Sequence, residues 1–207
     1  DRPNGPIMIE EGELEYTQPY ALEPYTNTVV RINTNATLTI NGNMFVNIDS
    51  TTKGDETALE TNKVPRPIVV DHGTLNLKGA VGHYAFGDLT LDHAQISFAE
   101  VTGSASYGVL SLLGKLTLKG DAPIAITPDT FPTAKANGGA SYDEWTKVLL
   151  CKELTDFCVD DITGDTNVDF TVACVLQNQR SRPGHYWPAS GFVKTGPGTM
   201  VISNASN

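Results

Sequence analysis

The sequence lacks the composition that marks several protein classes. It has no excess of basic residues, because 14 Lys and Arg face 24 Asp and Glu, for a formal net charge of −10. Binding to nucleic acid requires basic residues that neutralise the phosphates and aromatic residues among them that stack on the bases. The sequence has no such combination, so we expect no nucleic-acid partner. No apolar run approaches the ~20 residues that span a bilayer, so no membrane span is expected. Residues 1–6 do not resemble a signal peptide, and we expect a mature chain or a fragment.

Cysteine is also scarce, with only Cys151, Cys158 and Cys174. Their spacing contains no CxxC and no neighbouring pair of histidines, so no metal site is predicted. The chain has no nucleophile elbow, phosphate loop or dinucleotide fingerprint, and no cofactor is expected. Two interpretations of the cysteines stay open. They are buried or free thiols, or Cys174 forms one disulfide with Cys151 or Cys158, of which Cys158–Cys174 is the pair we test.

The residues that are abundant indicate an all-β protein. Gly (19) and Pro (12) accompany many Thr, Asn and Asp residues, a composition typical of short strands joined by tight turns. A short unit recurs in the sequence. It consists of Gly, a variable residue, and then an apolar, a polar and an apolar residue; in one copy the first residue is Ala instead of Gly. The six copies span residues 36–42, 73–79, 87–93, 108–114, 114–120 and 198–204. Period-two alternation places Leu75 and Leu77 on one face of a strand and Asn76 on the other.

The brevity of these strands favours a solenoid over a β-sandwich, because a solenoid coil turns after each short strand. Coil lengths are irregular, since Leu75 and Leu89 are 14 positions apart and Leu89 and Leu116 are 27 apart. Any all-β protein also produces such triplets through its turn chemistry, and this alternative stays open. We divide the chain into an N-terminal extended or capping segment at 1–27 and a solenoid at 28–207, with a long loop at 121–144. Residues 141–156 admit either a helix or a strand.

The C-terminal stretch Gly191–Asn207 resembles the autotransporter-associated β-strand repeat of bacterial passenger domains. The matching positions are Lys194, Gly196, Gly198, Thr199, Met200, Ile202 and Asn207. The stretches at 145–157 and 169–174 are similar to the strand-turn-strand passage that precedes such a repeat, which favours a strand over Lys147–Cys151.

This resemblance implies a right-handed parallel β-helix, located at the cell surface or secreted, and outer membrane-associated in the full-length protein. It also implies that the chain is a fragment of a larger protein and that 191–207 is a truncated repeat. We therefore expect a non-enzymatic structural or adhesive module, with no catalytic residue assigned.

Two alternatives remain from different functional classes. Polysaccharide lyases and hydrolases built on β-helices place carboxylates and basic residues on one outer face. The candidates for such a site, or for turn formers in the simpler interpretation, are Asp71, Asp88, Asp92, Glu100, His72, His83 and His93. A carbohydrate-binding module is the other alternative. Aromatic and basic side chains that could contact glycans or a host or surface protein, or else cover the stack between coils, are Tyr186, Trp187, Arg180 and Arg182.

Overall fold

The structure is a computed structural model that describes residues 5–17, 29–41, 66–78, 82–98, 108–126, 147–150, 154–178 and 191–203. Within these ranges the chain forms eighteen strands and no helix. Every strand pair is parallel, so the expectation of an all-β protein is confirmed for this part of the chain.

The largest sheet, sheet A, has seven strands. In spatial order they are β1 (Ile7–Ile9), β3 (Val30–Ile32), β5 (Ile68–Asp71), β8 (Leu89–Asp92), β11 (Leu116–Lys119), β14 (Leu154–Val159) and β17 (Gly191–Thr195).

Three smaller sheets accompany sheet A. Sheet B contains β2 (Gly12–Tyr16), β4 (Ala36–Asn41), β6 (Thr74–Lys78) and β9 (Gln95–Phe98). Sheet C contains β7 (Gly82–Phe86), β10 (Gly108–Leu112), β13 (Lys147–Leu150) and β16 (Val175–Asn178). Sheet D contains β12 (Ile124–Ile126), β15 (Phe170–Val172) and β18 (Met200–Ile202).

The chain visits these sheets in a recurring order. It contributes a strand to sheet A, then one to sheet B or D, then, from β7 onward, one to sheet C, before it returns to sheet A. Each strand pairs with the equivalent strand of a neighbouring round, as β5 does with β3 and β8. Such long parallel sheets are compatible with a parallel β-helix.

The register explains why the core is continuous. In-register parallel strands bring equivalent residues side by side, so one inward position of sheet A forms a row of apolar residues across neighbouring rounds. The members of this row, all buried, are Ile9, Ile32, Val70, Leu91, Leu118 and Val159. Burying such rows removes apolar surface from water in every round, which is the main force holding the sheets together.

The repeat found in the sequence corresponds to strands. Its six copies contain β4, β6, β8, β10, β11 and β18. Leu75 and Leu77 are fully buried and Asn76 is half-buried, as period-two alternation predicts. The strand predicted over Lys147–Cys151 is confirmed for Lys147–Leu150, which form β13. Cys151 lies outside the described residues, as do the residues at 141–144 that carried the helix alternative.

Two predicted segments contain more sheet than expected. Within residues 1–27, β1 and β2 occupy the outermost positions of sheets A and B. Within the predicted loop at 121–144, residues 124–126 form β12, because the triplet Ile124-Ala-Ile126 supplies two buried apolar residues that pair in register with β15. The loop prediction is therefore wrong at 124–126, and residues 127–144 lie outside the described residues.

Candidate functional site

Two histidines occupy equivalent turns between sheet A and sheet B. His72 follows β5 and His93 follows β8, and both have left-handed backbone conformations, with φ of 57° and 49°. His is among the few side chains enriched in this region, where the chain must change direction abruptly. The turn stays in register with its neighbour, because the backbone N–H of His72 donates to the carbonyl of Asp92 over 2.8 Å.

Equivalent positions on adjacent strands bring the two imidazole rings together. Their centroids are 4.2 Å apart and their planes differ by only 8°, so the rings are stacked. Gly120 follows the next strand, β11, at the corresponding place, and its left-handed φ of 135° serves the same turn without a side chain. Of these three equivalent turn positions, two therefore carry an imidazole ring, and the third, Gly120, carries none.

An aspartate orients each ring. Nδ1 of His72 lies 2.7 Å from Oδ1 of Asp71, and Nδ1 of His93 lies 2.7 Å from Oδ1 of Asp92. An ionised carboxylate can only accept a hydrogen bond, so each Nδ1 carries the proton and donates it. In the neutral imidazole, Nε2 then bears the lone pair, so Nε2 is the atom that can take up a proton or a metal ion.

Further charged groups surround this histidine–aspartate cluster, which we define as Asp71, His72, Asp92 and His93. Arg31 on β3 contacts Asp71, with Nη1 3.0 Å from Oδ2. Asp121 lies on the other side, with Oδ1 4.0 Å from Nε2 of His93. The cluster is open to solvent, since the side chains of His72 and His93 are 48% and 34% exposed.

The arrangement offers two kinds of chemistry. A carboxylate-oriented imidazole with a free Nε2 can transfer protons, and it is also the arrangement in which histidines bind metal ions. Across the described residues, no group of three or more His, Cys, Asp or Glu side chains is arranged to hold a metal ion.

The candidate residues from the sequence have different positions. Asp71, Asp92, His72 and His93 come together, whereas Asp88 lies just before β8, at its opposite end from Asp92. There its Oδ1 accepts a hydrogen bond from the backbone N–H of Lys115 over 2.8 Å, the role of a turn former. His83 belongs to β7 of sheet C and therefore to another sheet. Glu100 lies outside the described residues.

A second polar cluster lies on β11, β14 and β17 of sheet A. Lys115, just before β11, contacts Asp156, with Nζ 3.2 Å from Oδ2, and the Oγ1 of Thr195 donates to Oδ1 of Asp156 over 2.6 Å. The hydrogen bond from Thr195, followed by Lys115, lowers the pKa of Asp156. The hydrogen bond to Asp156 in turn raises the pKa of Lys115. Cys158 also raises this pKa, but by less. These pairs join three neighbouring strands.

A buried carboxylate, Asp169, stabilises the last turns. Its Oδ1 accepts hydrogen bonds from the backbone N–H and Oγ1 of Thr163, at 2.8 and 3.0 Å, and its Oδ2 accepts one from the backbone N–H of Thr199, at 2.6 Å. Burial alone raises the pKa of Asp169, but the hydrogen bonds from Thr199, Thr163 and Ile162 outweigh it and lower the pKa. Asp169 was not among the residues predicted from the sequence, although an Asp directly before an apolar strand is a signal for such a role.

Cys158 and Cys174 are not joined to each other by a disulfide. Burial raises the pKa of Cys174 to about 11, which disfavours its reactive thiolate. The structure thus gives the Cys158–Cys174 bridge no support, and the pairing stays a prediction. Cys151 lies outside the described residues, as do the predicted binding residues Tyr186, Trp187, Arg180 and Arg182.

Comparison with known proteins gave no relative: no protein-family model, no curated protein and no solved structure matches this chain. Among the described residues, no helix has the length and apolar character needed to cross a membrane.

Proposed function

We propose that this chain is part of a right-handed parallel β-helix, within a larger bacterial passenger-type protein, with a non-enzymatic structural or adhesive role at the cell surface or after secretion. The observation that carries the proposal is the recurring strand order, in which each round adds one strand to sheet A. Stacked rounds of this kind are the architecture of solenoids. Crossovers between parallel strands of one sheet are right-handed in nearly all proteins, which supports the handedness.

The dimensions suit the presentation of a surface. Seven strands of sheet A, spaced by ~4.8 Å, extend about 29 Å along the stacking direction. One outward position across the seven strands of sheet A carries a mixed row of polar and apolar residues, namely Met8, Arg31, Val69, Thr90, Thr117, Cys158 and Thr195. The chain as a whole carries a net charge of −10, so the surface that it would present to a partner is acidic overall.

The adhesive part of the proposal concerns glycans or a host or surface protein as partner. Tyr186 and Trp187 are the residues we assign to it, with Arg180 and Arg182 beside them in the sequence. Aromatic side chains bury a large apolar face while their polar edge stays hydrated, which suits contact with sugar rings.

A second candidate function, a polysaccharide lyase or hydrolase, is favoured by the histidine–aspartate cluster. The Nδ1 of each imidazole is held by a carboxylate at 2.7 Å, which leaves Nε2 available as a general base. Arg31 lies 3.0 Å from Asp71, so a basic residue also stands beside the cluster.

One experiment separates the two functions. Purified chain is incubated with immobilised acidic and neutral polysaccharides, and both retention and the release of reducing sugar are measured. The variants are Tyr186→Ala with Trp187→Ala, and His72→Asn with His93→Asn. We expect retention that the aromatic double variant loses, without sugar release.

Release that disappears in the histidine double variant would overturn the non-enzymatic proposal in favour of the enzyme. If no polysaccharide retains the chain, its adhesion to glycans is refuted.

A further inference from the structure

We propose that one face of the His93 ring is a docking site for an arginine side chain of a partner protein. The guanidinium lies flat against the ring, beside Gly120, and pairs with the carboxylates of Asp92 and Asp121. The inference concerns one place on the surface and does not depend on the function proposed above.

Only one face of the His93 ring has another ring against it. His72 covers that face from the side of β5, with the ring centroids 4.2 Å apart. The opposite face points toward β11, the neighbour of β8 on its other side, where the equivalent turn position is Gly120. Gly120 lies directly beside the ring, since a Cβ built on it would be 3.5 Å from Cγ of His93. Because glycine has no side chain, this face is open to a planar group from outside.

Two carboxylates border the open face. Asp92 orients the ring through Oδ1, and His93 is its only ion-pair partner within the described ranges, which leaves Oδ2 to accept from a second donor. Asp121 follows Gly120 in the sequence, is 82% exposed, and has Oδ1 4.0 Å from Nε2 of His93. Nε2 carries a lone pair and a carboxylate only accepts, so these two atoms do not hydrogen-bond to each other. A ligand with several N–H donors satisfies both carboxylates.

The charge of the neighbouring turns also favours a cation. Asp160 and Asp161 follow β14 and are exposed, and the backbone N–H of Asp160 donates to β11 over 3.0 Å, so their turn lies beside that of Gly120. The basic residue of β11 nearest to them is Lys119, which is in register with Asp92. Four carboxylates, those of Asp92, Asp121 and this pair, thus outnumber one ammonium in the described structure around the open face. Such a concentration of one sign of charge attracts ligands of the opposite sign.

The chain already contains a contact of the proposed kind at the other end of the two-ring stack. Nη1 of Arg31 lies 3.0 Å from Oδ2 of Asp71, while Oδ1 of Asp71 binds His72. Arg31 belongs to β3, on the side of β5 away from β8. Asp92 is in register with Asp71 and binds its own histidine in the same way. An arginine from a partner would therefore repeat, on the side of β11, what Arg31 does on the side of β3.

The shape of the site selects guanidinium among cations. A guanidinium is planar and weakly hydrated, stacks on aromatic faces, and presents a fork of N–H donors that matches a carboxylate. The ammonium of lysine has the charge but not the plane, and it is strongly hydrated. The partner is thus a protein that exposes an arginine.

The test is an NMR titration of the isotope-labelled full chain with a capped tripeptide that carries arginine between two glycines. Two matched tripeptides carry lysine or citrulline instead, and citrulline keeps the planar shape of arginine without its charge. The backbone N–H signals of Gly120 and Asp121 report binding. Peptide concentrations extend to about 50 mM, because a few contacts give affinities of millimolar order.

Variants separate the parts of the site. His93→Asn removes the ring, and His72→Asn is its matched control, since it makes the same change at the equivalent turn and leaves His93 in place. Asn tolerates the left-handed conformation at both positions. Asp121→Asn removes one carboxylate from an exposed side chain, and Lys119→Gln removes the protein's own cation beside Asp92. Far-UV circular dichroism checks that all variants retain their strand content.

We expect saturable shifts with the arginine peptide, weaker binding of the lysine peptide and no comparable binding of the citrulline peptide. His93→Asn weakens binding about two- to fivefold, the loss that corresponds to one cation–π contact at an exposed site. Asp121→Asn weakens it by up to about fivefold, the range of an exposed ion pair. His72→Asn leaves the affinity near the native value. Lys119→Gln strengthens binding, which partial unfolding of a variant would not do.

Three results would overturn the proposal. Without saturable shifts from the arginine peptide, there is no arginine site. Equal binding of the arginine and lysine peptides refutes stacking on the ring. An equal loss in His72→Asn and His93→Asn shows that the open face beside Gly120 is not where the peptide binds.

Discussion

Replacing Asp169 by Asn tests whether one buried carboxylate stabilises the last turns of the described structure. The carboxylate accepts hydrogen bonds from Thr163 on Oδ1, from Thr199 on Oδ2 and from the backbone N–H of Ile162. Asn keeps one acceptor oxygen and places an NH₂ group where the other was, so an amide donor faces a backbone donor. A hydrogen bond to a charged group contributes about 1.5–3 kcal/mol, and a buried group left unpaired costs about 1–3 kcal/mol.

We therefore expect Asp169→Asn to lower the free energy of unfolding by about 3 kcal/mol. The measurement is urea unfolding followed by far-UV circular dichroism, in which the midpoint falls while the slope stays constant. Asp165→Asn, in the same loop, is the matched control, because Asp165 is exposed and binds Asn167 only locally. A loss below about 1 kcal/mol, or one equal to that of the control, would refute this reasoning.

The same variant has a defined dependence on pH. Hydrogen bonds hold the pKa of Asp169 below its usual value, so the ionised carboxylate stabilises the fold at pH values above the unfolded pKa of about 3.9. This contribution disappears as the pH falls through the lower folded value. The difference in unfolding free energy between the native chain and Asp169→Asn should thus be constant at neutral pH and shrink below about pH 4. If the difference in unfolding free energy grows as the pH falls, the pKa of Asp169 is not lowered in the folded protein.

Three further predictions concern the core and the thiols. Gly198→Ala places a methyl group against the carbonyl of Asp160, so we expect a loss of about 1–3 kcal/mol in urea unfolding. Phe157→Ala removes a fully buried ring and should cost about 3–5 kcal/mol in the same assay. For the cysteines, mass spectrometry after alkylation at neutral pH should find Cys158 modified and Cys174 protected until the chain unfolds, because burial raises the pKa of Cys174 to about 11. A bridge between them would block both until reduction.

Controls for the two core variants come from open positions. Gly5→Ala adds a methyl group with no atom within 4 Å, and Leu154→Ala truncates a side chain that is 61% exposed. Both should change the free energy of unfolding by less than about 0.5 kcal/mol, the usual range for surface substitutions. Losses as large as those at Gly198 and Phe157 would show that the assay reports something other than close packing.

Strands were predictable from the sequence because alternation is a local signal. Leu89 and Leu91 alternate with Thr90, and this pattern alone indicates one buried face. The short strand β12 was missed because Pro123 and Pro128 flank it, and its triplet becomes a strand only by pairing with β15, far along the chain. Which strands pair with each other is determined by the tertiary structure, and the local β-propensity of a segment does not predict it.

The candidate site was predictable only in part. Asp71, His72, Asp92 and His93 were recognised as chemically capable residues, but their stacking depends on which strands are neighbours and in which register. Asp88 has the same residue type and a similar place beside a strand, yet it binds a backbone N–H at the opposite end of β8. Residue type therefore indicates a candidate, and register determines whether it joins a site.

The pairing of each strand with its counterpart in the next round has a consequence for how such a protein can change during evolution. The connection from β8 to β9 is only residues 93–94, whereas residues 160–169 separate β14 from β15, and both connections lead from sheet A to in-register strands of a neighbouring sheet. An inserted segment leaves the hydrogen-bonded partners of every strand as they were, and the entropic cost of closing a longer loop grows only slowly with its length. Lineages of such a chain can therefore gain or lose whole surface loops, and diversify what they contact, while the residues of the core stay unaltered.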